Sequence, residues 1–333
     1  MEDLNVQVLR GFDLKPKTIY KSNSFYICET NKGMKALKKS KDSIENILLQ
    51  HDIKTHLIHN GFNNTDMFSI SKQNKPYYIF NNNVYVVTDF ISNESINFQD
   101  RISFLELIKA TAKLHVSLKN INFKQGDLPS GSDLSVEYSK SLNRLKSIKK
   151  KVHNQNRLSN FDVAFIKNYA SYVEDINKAI QGLAETNYIT YRNKALQEKS
   201  VCHNILKKES LIVTRNSSAT TLDNIYITNF SKCTVDYNLT DISRVIKTYL
   251  KYIHEDPVSI EEVIDTYSKY NPLNDDEIKI LYIFLSYPSK FIKVCNHYYF
   301  KQRKWGAASM TSRLETILEQ REFLNKYMNN TRV

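Results

Sequence analysis

Val201-Cys202-His203-Asn204-Ile205-Leu206-Lys207-Lys208-Glu209-Ser210-Leu211-Ile212-Val213 is followed, after a Ser/Thr/Asn-rich segment, by Ile225-Tyr226-Ile227-Thr228-Asn229-Phe230. The apolar runs 211–213 and 225–227 are short, β-branched and bounded by polar residues, so they read as two paired strands. The residues between Cys202-His203 and Leu211 then form a loop leading into the first strand, and Asn229-Phe230 terminates the second. Two short strands joined through a polar segment, with a histidine-led loop before them, fix the frame from which the rest of the chain is read.

In phosphotransferases a loop His-x-Asp-x-x-x-x-Asn supplies a base for the attacking hydroxyl and an oxygen ligand for Mg²⁺. A strand that ends in Asp-Phe supplies a second metal ligand. Laid over that pattern without gaps, His203 takes the His place and Ile205 the base. Ser210 takes the Asn place and Asn229 that of the metal-binding Asp. Ile205 can neither accept a proton nor orient a hydroxyl. Asn229 offers a neutral oxygen where a hard dication prefers carboxylate, and Ser210 is a weak substitute for the second ligand. The expectation is a degenerate loop with no catalytic residue and no metal ligand. Glu209 and Asp223 are the nearby acids that a relocated base would have to recruit.

Further motifs keep the same order along the chain. Asn31-Lys32-Gly33 precedes Leu37-Lys38, and Leu114-His115 closes a helical stripe. Cys202-His203, Asn229-Phe230 and Asp241-Ile242 follow, then Tyr287-Pro288-Ser289-Lys290-Phe291, Tyr298-Tyr299 and Lys304-Trp305. In this series the chain resembles the CotS-type spore-coat proteins of endospore-forming bacteria, whose fold is like that of aminoglycoside and choline kinases. The resemblance runs from about Thr18 to Tyr327. It implies an α+β, two-lobed protein-kinase-like fold. Residues 1–90 would form a small antiparallel β lobe with one helix. Residues 91–333 would form a larger, mostly helical lobe carrying the degenerate loop.

Composition sets the outer bounds. With 41% hydrophobic and 25% charged residues, the 333-residue chain is that of an ordinary globular protein. No apolar run is long enough to span a bilayer, so no membrane association is expected. Met1-Glu2-Asp3-Leu4-Asn5 lacks the build of a signal peptide, and the chain is expected to stay where it is made. Cys28, Cys202, Cys233 and Cys295 are far apart and match no zinc spacing. The seven glycines are isolated, with none between Ile19 and Ile27, so no glycine-rich phosphate cradle can form there. The net charge of +12 favours acidic partners. Much of it lies in residues 139–157, where Lys140, Arg144, Lys146, Lys149, Lys150, Lys151 and Arg157 meet no acid. Leu142, Leu145, Ile148 and Val152 recur there at near-helical spacing. The lysines would be the wet face of an amphipathic helix, with a docking surface for an acidic partner as the next reading. Nucleic acid ranks last, since no recognition motif accompanies the charge.

Thr18–Tyr20 and 24–29 read as strands, and Gly33 supplies the positive φ of a hairpin turn into 34–39. Lys38 falls where a kinase carries its phosphate-binding lysine. Asp42 is the expected cap of the next helix, with Glu45 completing a capping box. Glu45 is also the candidate partner of Lys38, the two being the candidate nucleotide-site residues. Ile44, Ile47, Leu48 and Leu57 mark that helix's buried stripe. A second hairpin, 77–80 and 84–90, leads to a hinge over 89–93. From Asp100 a helix carries Ile102, Leu105, Ile108, Ala112 and His115 inward, with His115 a packed core residue. Further helices are expected over 139–152, 161–184, 241–254 (capped by Asp241), 260–268, 275–285 and 309–327. Tyr298, Tyr299, Tyr267 and Tyr270 are expected to be partly exposed, as aromatics at protein contacts are.

The leading functional reading, as the resemblance implies, is a non-catalytic kinase-like structural or assembly protein of the endospore coat. It would be made in the mother-cell cytoplasm, bind other coat proteins, and need no cofactor. An atypical small-molecule phosphotransferase and a ligand-binding module without turnover remain as alternatives, and ATP binding separates the three.

Overall fold

The structure, a computed structural model, describes residues 4–91, 94–124, 126–214, 224–253, 255–300 and 307–329. The chain forms two compact units, residues 1–130 with 196–238 and residues 131–195 with 239–333.

The first unit opens with α1 (Leu4–Gly11), β1 (Pro16–Ser22), β2 (Phe25–Thr30), β3 (Gly33–Lys39), α2 (Ile44–His59), β4 (Tyr78–Phe80) and β5 (Asn83–Asp89). The strands form an antiparallel sheet in the order β1-β2-β3-β5-β4. Turn chemistry sets its registers. Gly33 has φ +87°, and the β4–β5 turn places Asn81 and Asn82 at +48° and +58°, a left-handed pair that asparagine tolerates. Alternation gives the sheet two different faces. Cys28, Leu37, Tyr85 and Val87 pack with Val8, Leu9, Phe12 and Leu14 of the N-terminal segment. Val86 joins Phe68 and Ile47 of α2 in a separate cluster.

Helix α2 departs from expectation at both its start and its faces. Ser43 is the N-cap, its side chain accepting from the Asn46 N–H. Asp42 instead accepts from the Gln50 amide, and Glu45 is exposed. The buried set is Ile47, Leu49, Gln50, Asp52, Ile53, Lys54 and Leu57, wider than one apolar stripe, while Ile44 and Leu48 are half-buried. The extra burial has polar partners: the Asp52 carboxylate accepts the Lys124 N–H at 2.9 Å, and His56 Nε2 meets the Lys119 carbonyl at 3.0 Å.

The unit continues with β6 (Glu94–Ser95), α3 (Arg101–Ser117), β7 (Val201–Cys202), β8 (Leu211–Thr214), β9 (Asn224–Ile227) and β10 (Thr234–Val235). β6, β8 and β9 form a three-stranded sheet, and β7 pairs with β10. Asp100 caps α3 through the Ser103 N–H. The inward face of α3 is Phe104, Leu107, Ile108, Thr111, Ala112, Leu114 and His115. Ile102, expected inward, is 55% exposed because it lies on the side of the helix away from that face, although Ser103 and Phe104 of the same turn are buried.

The second unit is helical among its described residues: α4 (Leu134–His153), α5 (Asn160–Ala184), α6 (Tyr188–Gln197, whose last two residues belong to the first unit), α7 (Leu239–Tyr249), α8 (Ile260–Ser268), α9 (Asp275–Ser286), α10 (Ser289–Phe300) and α11 (Ala307–Asn329). α1, α6 and α10 were not expected from the sequence. α4 starts five residues before the expected 139, and its stripe follows the expectation. Leu145, Ile148 and Val152 are fully buried, Leu142 packs beside them, and Lys146, Lys149, Lys150 and Lys151 are exposed, while Lys140 pairs with Glu137 at 3.1 Å. Asp241 lies inside the first turn of α7, buried, 3.4 Å from Arg244, and so is not the N-cap. Two expected surface tyrosines are core. Tyr267 is buried, and Tyr299 is buried with its hydroxyl donating to Asp162 at 2.6 Å. Tyr298 is half-buried and stacks on Phe161 at 3.9 Å, while Tyr270 is exposed. Residues 92–93 of the expected hinge, Asp223, His254 and Lys304-Trp305 lie outside the described residues. Among the described residues no helix is long and apolar enough to cross a membrane.

Candidate functional site

The first unit contains a cavity of about 680 Å³, within the range of small-molecule sites. Its walls come from the β1–β2 turn, β3, α2, β5 and the segments around β8 and β9. In β3 the pairings Ala36 to Thr88 and Lys38 to Val86 turn Ala36 and Lys38 toward this space, while Leu37 faces the opposite core. Lys38 is exposed.

Lys38 and Glu45 are not joined. Neither makes an ion pair among the described residues, and Glu45 lies against Gly126, where φ is +75° and an added Cβ would come within 3.0 Å of its carboxylate. The buried ion pair in the cavity wall is a different one. Lys54 of α2 is 2% exposed, its Nζ 2.8 Å from Asp66 Oδ1 and 4.1 Å from the Phe68 ring centroid. The Nζ–Oδ1 approach is an ion-pair contact without hydrogen-bond alignment. A second pair, Lys35 with Asp89, bridges opposed residues of β3 and β5. Sequence reading missed Lys54. The signal was there: Lys54 stands seven residues after Ile47 and three before Leu57, on the helix's buried side.

The histidine-led loop is held from within. His203 is fully buried, its Nε2 2.9 Å from the Thr228 carbonyl and its ring edge-on to Phe230 at 4.9 Å. Nδ1 accepts the Ile205 N–H at 3.3 Å, so Nε2 carries the proton and donates to Thr228. Asn204 has φ +69°, and its amide donates to the Lys232 carbonyl at 2.8 Å and to Thr234 Oγ1 at 2.9 Å. His203 and Asn204 thus tie the loop to the segment that carries Asn229 and Phe230.

The chemistry-bearing positions are spent elsewhere. Ser210 is buried. Its hydroxyl donates to the Ile205 carbonyl, lies 3.0 Å from that of Lys207, and accepts the Lys207 N–H at 3.2 Å. Asn229 is exposed at φ +62°, and its side-chain oxygen accepts from Ser231 Oγ at 2.8 Å. Of the four degenerate positions only Asn229 lines the cavity; Glu209 lines it too, 3.6 Å from Lys207.

The fold implies Mg²⁺ with a nucleotide, and the donor set answers for the metal. Of the carboxylates lining the cavity, Asp66 pairs with Lys54, Asp89 with Lys35 and Glu209 with Lys207, Asp42 accepts from Gln50, and Glu94 is exposed on β6. Ser210 is turned onto its own loop, and Ile205 has no donor atom. Among the described residues no three His, Cys, Asp or Glu side chains are grouped to hold a metal ion. These residues do not fit a kinase Mg²⁺ site.

Comparison with known proteins agrees with the architecture. An aminoglycoside phosphotransferase from Alicyclobacillus acidocaldarius matches with TM-score 0.80 and 15% identity, covering 97% of this chain and 95% of its own. A spectinomycin phosphotransferase solved with AMP gives TM-score 0.63 and 13% identity over 96% of each chain. An amicoumacin kinase solved with AMP-PNP and Ca²⁺ gives 0.56 and 14%, over 93% and 88%. At these identities the likeness establishes the kinase-like fold alone. No protein with a curated description matches the sequence. The profile described as "Spore coat putative kinase YutH" matches residues 6–331. The chain belongs to that family of kinase-like spore coat proteins.

Proposed function

We propose that this protein is a non-catalytic, kinase-folded structural component of the endospore coat. The observation that carries the reading is the state of the loop: Ser210 bonds its own loop's carbonyls, beside an aliphatic residue at the base position. Phosphoryl transfer relies on positioning and on charge neutralisation around the phosphates. A site with no base at Ile205 and a neutral, already bonded amide at Asn229 supplies neither. The protein would be made in the mother-cell cytoplasm and taken up into the coat. Its partners would be other coat proteins, acidic ones engaging the lysine face of α4.

A second reading keeps catalysis. Glu209 shares the cavity with Asn229 and Lys38, where a relocated base would stand. Melting with Mg·ATP and assay of ADP release separate the two. Saturating nucleotide a hundredfold above Kd would stabilise the fold by about 2.7 kcal/mol, a shift of several degrees for a domain of this size. The non-catalytic reading expects no ADP and no Mg²⁺-dependent shift that Lys38→Ala removes. Release of ADP that Glu209→Gln abolishes would establish the second reading instead.

A further inference from the structure

The second unit holds a cavity of about 630 Å³ whose lining is unusually one-signed. Lys290, Lys293 and His297 stand on one face of α10 at helical spacing, and Arg313 and Gln320 face the same space from α11. Lys251, beyond α7, completes the rim. Among the described residues no carboxylate lines it. No Asp or Glu occurs between Glu277 and Glu315, and Glu315 and Glu319 of α11 are not among the lining residues.

A solvated basic face is the ordinary fate of lysines, and α4 provides one. This cluster differs in two ways. Its cations come from separate elements and border one concave space, so their charges converge. And its half-buried lysine is held by neutral groups. Lys290 Nζ donates to Gln320 Oε1 at 2.6 Å. Lys247, in an adjoining cavity that Lys290 and Gln320 also line, donates to the carbonyls of Phe284 and Tyr287 at 2.7 and 3.0 Å. Folded proteins ordinarily give buried ammonium groups a carboxylate. Burial, with Lys251 beside it, lowers Lys290 to about 8. Burial, with Lys290 and Arg244, lowers Lys247 to about 7. The neighbouring cations repel one another where an anion would relieve them.

We propose that this concavity between α10 and α11 is a binding site for a small oligoanion carrying two or more phosphate groups. The run from Lys290 to His297 extends about 10 Å along the helix, longer than one phosphate. The ammonium and guanidinium donors suit phosphate oxygens, which deliver about one to two charges per group. The site is separate from the first unit's cavity and needs no metal.

The test is calorimetry on the full chain with sodium tripolyphosphate, pyrophosphate, orthophosphate and citrate at ~0.15 M ionic strength, where loose surface attraction is screened. Saturable one-to-one binding is expected, tightest for tripolyphosphate and weakest for orthophosphate. Lys293→Glu with Arg313→Glu, both at exposed positions, should weaken tripolyphosphate about tenfold or more. Should that variant not fold, Lys293→Gln with Arg313→Gln carries the same expectation of clear weakening. Lys167→Glu with Lys279→Glu makes the same net-charge change on exposed faces outside the cavity and should leave the affinity unchanged. Absence of saturable binding, or equal weakening by the two charge-reversed pairs, would overturn the site. Citrate binding as tightly as tripolyphosphate would overturn the phosphate assignment.

Discussion

Replacing Asp66 by Asn tests how the first unit's cavity wall is held. Lys54 is 2% exposed, and among the described residues Asp66 is its one carboxylate, with the Phe68 ring beside the ammonium. Asp66→Asn keeps the shape and removes the charge, leaving a buried ammonium with a neutral amide oxygen and a ring in place of a carboxylate. Breaking a buried pair in this way costs about 3–5 kcal/mol. The aromatic face retains about 0.5–2 kcal/mol of attraction, so a loss near the lower end, about 3 kcal/mol, is expected. At about 2–4 °C per kcal/mol for a domain of this size, the melting point should fall by roughly 6–12 °C. Lys54→Met should cost less, because Asp66 is 16% exposed and can be hydrated. The double variant should recover most of the loss, since neutral isosteres replace a buried pair at little cost. Two compact units need not melt together, so hydrogen exchange at α2 and β5 amides is the readout, alongside circular dichroism. Additive single losses, or an Asp66→Asn variant within about 1 kcal/mol of wild type, would refute the reasoning.

Ser210→Ala removes the hydroxyl that bonds the Ile205 carbonyl and the Lys207 N–H, while the Lys207 N–H keeps its 3.0 Å bond to the Ile205 carbonyl. It should cost about 0.5–1.5 kcal/mol in chemical denaturation, with no effect on any nucleotide readout. Lys247 predicts a pH dependence with a definite sign. Its folded-state pKa of about 7 lies below its usual 10.5, so between those values the unfolded chain binds more protons and stability rises with pH. Melting points should climb from pH 7 towards 9, and Lys247→Met should flatten much of that slope. A slope unchanged in the variant would contradict the burial argument.

Local chemistry was the part of the fold most legible in the sequence. Gly33 and Asn81-Asn82 announce their turns, residues 211–214 and 224–227 pair as their β-branched runs suggest, and α4 buries its leucine stripe. Features decided by distant partners were hidden. Tyr299 looks like a surface aromatic until Asp162, far away in sequence, accepts its hydroxyl proton. Ile102 joins Leu105 and Ile108 at three-residue spacing, which drifts around the helix, so it comes out on the side away from the packed face. Asp42 and Ser43 are both competent caps, and only the backbone geometry chooses Ser43. At the site, His203, Ile205, Ser210 and Asn229 could be aligned by spacing. What could not be read was where their hydrogen bonds go, and that the buried ion pair of the cavity wall joins Lys54 to Asp66, leaving Glu45 apart.

The most direct measurement of the central claim is ADP release from Mg·ATP by the full-length protein, run beside Lys38→Ala and Glu209→Gln. Melting curves with and without Mg²⁺ accompany it, so that metal-independent phosphate binding at the α10–α11 cavity is told apart from nucleotide use. The account predicts no ADP above the buffer rate in any of the three proteins, and no Mg²⁺-dependent shift that Lys38→Ala abolishes. ADP released by wild type and lost in Lys38→Ala would contradict it.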